Sequence, residues 1–178
     1  MSIRLARHGL KHIRRIELTQ LTEDEKAFAR EAGKARQESA RLLNQKDRLI
    51  ARMTDEEKLQ NEIFSIMSEL YTAKLFKLPW VAGKYDQKLL TDVGSDIEVK
   101  TSKYKNAHLL VRPRKFSKYP LEHVQTHRFV LIIHDPVTEE LTFAGWMHGT
   151  EIMQDKYWRR DSWWVPQQDL YKEIAHDS

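Results

Sequence analysis

The stretch Thr91-Asp92-Val93-Gly94-Ser95-Asp96-Ile97-Glu98-Val99-Lys100-Thr101-Ser102 sets the reading of the fold, because its second half alternates with the period of an extended chain. Side chains of a strand point in turn to opposite faces, so Ile97, Val99 and Thr101 fall on one side and Asp96, Glu98, Lys100 and Ser102 on the other. The first set suits a core and the second a cleft. Gly94-Ser95 reads as a hairpin bend, with Asp92 on its far side.

Two or three carboxylates and an ammonium gathered on one strand face form a site that binds a hard cation and handles water beside a phosphate. Alone, such a string more often decorates the solvated face of an edge hairpin, so the rest of the chain has to agree. Asp92 and Asp96 compete for the role of first carboxylate. Asp96 runs parallel to Glu98 on the same strand, whereas Asp92 lies across the bend and can converge on Glu98 from the neighbouring segment. Asp92 is therefore the preferred ligand.

Upstream, the chain reads as helical. Thr22-Glu23-Asp24-Glu25 is a capping box, and a long helix is expected from it to about Met53. Its heptad-like seam runs Phe28, Ala32, Ala35, Ser39, Leu42, Lys46, Leu49 and Met53. That seam fits either a homodimer through this N-terminal helix or close packing on its own domain. Thr54-Asp55-Glu56-Glu57 is a second capping box, opening a helix that Pro79 must end. Leu59, Ile63, Ile66, Met67, Leu70 and Ala73 face inward on it, and Glu69 sits beside that stripe. A carboxylate there is costly unless it is paired with a Lys or Arg, hydrogen-bonded or bound to a metal.

Downstream, weak strands are expected at 80–84 and 88–93, and firmer ones at 96–102, 107–112, 129–134 and 141–147. A short helix is expected within 116–126, and Asp135-Pro136 with Val137-Thr138 turns the late hairpin. Helices first and strands afterwards predict an α/β (α+β) layered domain without internal repeats.

Composition limits the chemistry. The 178 residues suit one domain, and the longest clean apolar run, Phe129 to Ile133, is too short for a transmembrane helix. With no cysteine, disulfides, thiol catalysis, cysteine-ligated zinc and iron–sulfur clusters are excluded, and a reducing cytoplasm is the expected setting. Gly-rich phosphate loops, a serine nucleophile elbow and HExxH are also missing. Residues 1–16 carry five basic residues and no acid, which reads as a basic arm rather than a transit peptide or secretory signal.

Charge is unevenly spread. Lys100, Lys103, Lys105, Arg112, Arg114, Lys115 and Lys118 follow one another with no acid between them, while the total is only +4. The remainder outside this stretch and the arm is thus acidic, and a basic run continuing from an acid cluster points to contact with nucleic-acid phosphates. His123 and His127 have the spacing of a helical metal pair but lack a following Glu and a third ligand, so they read as solvated or phosphate-facing. Trp146, Trp158, Trp163 and Trp164, interleaved with Met147, Ile152 and Val165, read as core and lid packing rather than as base-stacking residues.

The order of these segments resembles the PD-(D/E)XK nuclease superfamily, the restriction-endonuclease-like fold. Asp92-Val93-Gly94 with Glu98-Val99-Lys100 is similar to its central motif, and Ser68-Glu69-Leu70-Tyr71 to its helical first motif. His108 to Pro113, Arg128 to Ile133, Gly145-Trp146-Met147 and Trp164 to Gln167 are similar to segments of mostly uncharacterised phage-type members. Thr91 stands in place of the name-giving Pro, and Ser68 in place of a frequent Gly. The resemblance implies a central mixed sheet flanked by helices, with residues 17–53 as a helical extension and 54–178 as a catalytic core. It implies a Mg²⁺-dependent nuclease, with Mn²⁺ able to substitute, acting on nucleic acid and most readily on DNA. Asp92, Glu98, the Val99 carbonyl and Glu69, directly or through water, are the expected metal ligands, and Lys100 the residue that handles the attacking water. Lys103, Lys105, Arg112, Arg114, Lys115 and Lys118 are the expected backbone-tracking residues. The alternative is a non-catalytic nucleic-acid-binding phage accessory protein on the same fold.

Overall fold

The computed structural model describes residues 20–42, 53–80, 91–113 and 121–174. Both capping boxes form. Thr22 Oγ1 accepts from Glu25 N–H at 3.2 Å and Glu25 Oε2 accepts from Thr22 N–H at 2.7 Å, opening helix α1 (Glu23–Leu42). Thr54 and Glu57 repeat the arrangement at 3.1 and 2.7 Å and open α2 (Asp55–Phe76). Each box satisfies two N–H groups that the first turn leaves without helical partners. Lys77 ends α2 with φ +55°, its N–H returning to the carbonyls of Ala73 and Lys74, so the helix stops just short of Pro79.

α1 packs along α2 and meets the expected seam only in part, Ala32 packing against the core. Ala29 and Gly33 are its buried residues, whereas Phe28 and Leu42 are exposed. A Cβ on Gly33 would stand 2.7 Å from Ile63 Cγ1 and 3.2 Å from the Ile63 backbone, so the helix axes approach where a side chain is absent. Residues 43–52, with the seam positions Lys46 and Leu49, lie outside the described residues. α2 is covered twice: Ile63, Ile66, Met67, Tyr71 and Phe76 are buried between α1 and a sheet.

That sheet is mixed and has the order β1-β3-β4. β1 (Ile97–Ser102) runs parallel to β3 (Arg128–His134), with Glu98 beside Phe129 and Lys100 beside Leu131. β4 (Leu141–His148) returns antiparallel after the Asp135 turn, where Asp135 Oδ1 accepts from the Val137 and Thr138 N–H groups at 2.8 and 3.2 Å. One sheet face, with Ile97, Val99, Val130 and Ile132, joins the helical core. Phe129, Leu131 and Met147 on the opposite face belong to a second core with Leu109, Val111, Val124, Trp163 and Val165.

The second core is shared with an antiparallel sheet of order β2-β6-β5 and with two short helices, α3 (Leu121–Thr126) and α4 (Gly149–Ile152). β2 is Leu109–Val111, β5 Trp158–Arg159 and β6 Ser162–Val165. The protein is thus a mixed α+β layered structure with helices on both sides of a mixed sheet. The second sheet is an addition to the expected plan, which has no strand at 158–159 or 162–165. Of the weak strands, 81–90 lies outside the described residues, and Val93 forms an isolated antiparallel bridge to Ile97. No helix among the described residues is long and apolar enough to cross a membrane.

Candidate active site around strand β1

The alternation of β1 places its residues as expected, with one difference in depth. Ile97 and Val99 enter the helical core, and Glu98 and Lys100 face the other way, but Glu98 is fully buried rather than open in a cleft. Lys100 is half-buried, its ammonium 6.0 Å from the centroid of the Phe129 ring. Such a contact lets the stem lie on apolar surface while the charge stays near an aromatic face.

Asp92 reaches the same strand from across the bend. Gly94 has φ +59°, and Thr91 Oγ1 donates to the Gly94 carbonyl at 2.6 Å, which turns the chain back so that Val93 bridges Ile97. A positive φ is the reason glycine stands there. Asp92 Oδ2 then accepts from the Val99 N–H at 2.8 Å, leaving Oδ1 outside that bond. The bond ties the Asp92 carboxylate to β1 next to Glu98.

Asp96 has a different duty. Both its oxygens take the Arg128 guanidinium, Nε to Oδ2 at 2.7 Å and Nη2 to Oδ1 at 2.8 Å, and its carbonyl accepts from Arg128 N–H at 2.7 Å. It lies one position before β1 and clamps the start of β1 to the start of β3.

Glu69 is 5% exposed and carries the boundary ion pair that was its alternative reading. Arg36 of α1 grips it with two bonds, Nη1 to Oε1 at 2.8 Å and Nη2 to Oε2 at 3.0 Å, and Trp80 Nε1 donates to Oε2 at 3.1 Å. Burial pushes the Glu69 carboxyl up from its ordinary value; the guanidinium opposes this and the nearby Asp92 charge adds to it. Burial pulls the Arg36 pKa down, but the Glu69 partner, with Glu62 and Asp92, outweighs it and raises it above its ordinary value, so its charge is permanent. Arg36, Glu69 and Asp92 thus form one electrostatic group on the helical side of β1.

His123 is the residue whose role the sequence reading missed. α3 places its Nε2 3.0 Å from Glu98 Oε1, and its ring stacks on that of His127 with centroids 3.5 Å apart. His127 Nδ1 is 2.6 Å from the His123 carbonyl oxygen, which closes the helical turn around the pair. The i,i+4 spacing did bring the two rings together, but only tertiary packing sets one of them against Glu98. Gly149 makes that packing possible: its N–H donates to the His127 carbonyl at 2.8 Å, and a Cβ there would lie 1.5 Å from the Val124 carbonyl oxygen.

The basic stretch is divided by the fold. Lys103 and Lys105 are exposed in the loop after β1, near the charges of Glu57, His134 and Asp135. Arg112, at the end of β2, donates from Nε to Ser162 Oγ at 3.2 Å. Arg114, Lys115 and Lys118 lie outside the described residues.

Among the described residues no three His, Cys, Asp or Glu side chains converge in a metal-holding group. Two carboxylates lie next to Val99, Asp92 bonded to its N–H on the helical side and Glu98 against His123 on the opposite face of β1. Hard oxygen donors of that kind suit Mg²⁺, which takes one or two carboxylates and fills its other positions with water and substrate phosphate. Neither known protein families, nor curated proteins, nor solved structures provide a match for this chain.

Proposed function

We propose that the chain is a Mg²⁺-dependent nuclease that hydrolyses phosphodiester bonds, with DNA as the favoured substrate, on a restriction-endonuclease-like core. The supporting observation is the Asp92 bond to the Val99 N–H, which brings an acid from across the Gly94 turn to the strand that bears Glu98 and Lys100. Asp92 and Glu98, with the Val99 carbonyl, would hold the ion. When bound, the ion polarises the phosphate and acidifies a water.

Lys100 orients that water and offsets charge developing on the phosphate, a role for which a half-buried ammonium beside Phe129 is suited. Glu69, engaged by Arg36 and Trp80 behind Asp92, would support the ion directly or through water. Lys103, Lys105 and Arg112, with Arg114, Lys115 and Lys118, bind the phosphate backbone, which fixes position without reading sequence.

A second reading is favoured by the lack of a three-ligand cluster among the described residues: a non-catalytic nucleic-acid-binding protein on the same scaffold. Incubation of plasmid and single-stranded DNA with the protein in Mg²⁺, Mn²⁺ or EDTA separates the two. Cleavage that needs the divalent ion and falls by at least about 10²-fold in Lys100→Ala, with binding retained, supports the nuclease. Binding without cleavage selects the second reading.

A further inference from the structure

Glu98 is fully buried on the face of β1 that looks away from the helical core, and a buried carboxylate is stable only where hydrogen bonds replace its water. His123 supplies such a bond, its Nε2 3.0 Å from Glu98 Oε1. With Glu98 ionised, Nε2 carries the proton and is the donor. The bond joins β1 to α3, an element that reaches this strand only through tertiary packing.

The imidazole is itself held in place. His127 lies flat on it, with centroids 3.5 Å and planes 16° apart. A carbonyl oxygen can only accept, so His127 Nδ1, 2.6 Å from the His123 carbonyl, is the donor of that bond and keeps the stacked ring in one orientation. Val124 of the same helix is fully buried in the second core, and Gly149 N–H donates to the His127 carbonyl at 2.8 Å. His123 thus meets Glu98 from a support built of α3, the residue that follows it and the start of α4. Both carboxylates beside Val99 are tethered, Asp92 by a backbone N–H and Glu98 by this side chain.

We propose that His123 is a positioning residue of the β1 site, fixing the Glu98 carboxylate so that a divalent ion meets a ligand already in place. This rests on the proposed Mg²⁺-dependent reaction and adds to it a residue from outside the strand. A glutamate side chain has several free torsions, and freezing them when the ion binds weakens affinity unless a hydrogen bond has already done so. Mg²⁺ tolerates little departure from octahedral geometry, so a displaced ligand is felt as weaker binding. Hydrogen-bond partners of metal ligands typically govern affinity by about 10–100-fold. The effect falls on metal affinity rather than on the chemical step, because His123 acts on the ion through Glu98.

The test is calorimetric titration of Mn²⁺ into the full chain without nucleic acid, beside cleavage of plasmid DNA as a function of Mg²⁺ and a thermal melt without metal. His123→Ala removes the bond, whereas His123→Gln keeps an N–H donor where Nε2 stands. The Ala variant should bind Mn²⁺ at least about tenfold more weakly and need about tenfold more Mg²⁺ for half-maximal cleavage, with the rate at saturating Mg²⁺ within about threefold of wild type. The Gln variant should recover most of the affinity, a rescue that a merely structural loss would not show. Should the Ala variant melt below the assay temperature, His123→Leu, which fills the space without a donor, replaces it with the same expectations. A folded donor-less variant with wild-type Mn²⁺ affinity and Mg²⁺ requirement overturns the proposal. So does a Gln variant no better than it, or a loss confined to the rate at saturating Mg²⁺. Wild-type protein that neither binds Mn²⁺ nor cleaves DNA overturns this inference and the proposed function together. Wild-type protein that binds Mn²⁺ and cleaves, matched by the donor-less variant, removes only the role of His123.

Discussion

Asp92 and Asp96 stand on either side of the Gly94 turn and carry the same functional group, yet their surroundings give them different work. Asp92 uses one oxygen on the Val99 N–H, whereas Asp96 spends both on Arg128. Asp92→Asn should therefore abolish Mg²⁺-dependent cleavage and weaken metal binding, read as activity titrated against Mg²⁺. Asp96→Asn should keep a measurable fraction of activity and instead lower the melting temperature, because a charge-assisted bidentate pair is lost. The reverse pattern would move the ligand role to Asp96. At Glu69 the prediction concerns stability. Arg36→Ala leaves a buried carboxylate without its cation and should cost about 3–5 kcal/mol in urea unfolding, while Arg36→Met combined with Glu69→Leu should recover most of that loss. A single variant as stable as wild type would show that water replaces the guanidinium at no cost.

At the scale of elements, the decisive contact is between α3 and the start of α4. Gly149 lies so close to Val124 that even a methyl group would overlap the carbonyl oxygen. Gly149→Ala should push α3 outward, lower stability by about 1–3 kcal/mol, and withdraw His123 from Glu98. Loss of chemical-shift perturbation between the His123 ring and Glu98, followed by NMR alongside the melting curve, would register both effects; an unchanged His123 environment would mean that α3 is held elsewhere. α1 and α2 illustrate how far local signals reach. Both starts were legible because a capping box is satisfied within four residues of chain. The seam of α1 was legible only in part, since Ala29 and Gly33 are buried through closeness to Ile63 rather than through their own apolar area.

For the whole molecule, one buried titratable side chain links folding to pH. His134 ends β3 with its ring stacked on Phe64 of α2 at 3.9 Å between centroids. Burial holds its pKa below the ordinary 6.5, with Lys103 acting in the same direction and Asp135 against it. The folded state therefore disfavours the imidazolium that the unfolded chain accepts. This contribution to stability is present above pH 6.5 and is lost as the pH falls through the lower folded value. Thermal melts between pH 7.5 and 5 should show a steeper decline for wild type than for His134→Phe, which keeps the stack without the titration. Parallel slopes would mean that His134 opens to water before it protonates.

What the amino-acid sequence determined by itself is what depends on near neighbours. The capping boxes, the Asp135 turn, the alternation of β1 and the ranges of β3 and β4 within a residue or two all follow from side chains acting on their own backbone. The tertiary structure decided which distant groups share an environment. It paired Glu69 with Arg36, tied Asp96 to Arg128, set His123 against Glu98 and assembled β2, β5 and β6 into a second sheet. Those choices depend on burying charge only where a partner arrives from another element, and on edge strands finding one another. Such energies belong to the packed chain and leave no periodicity to read.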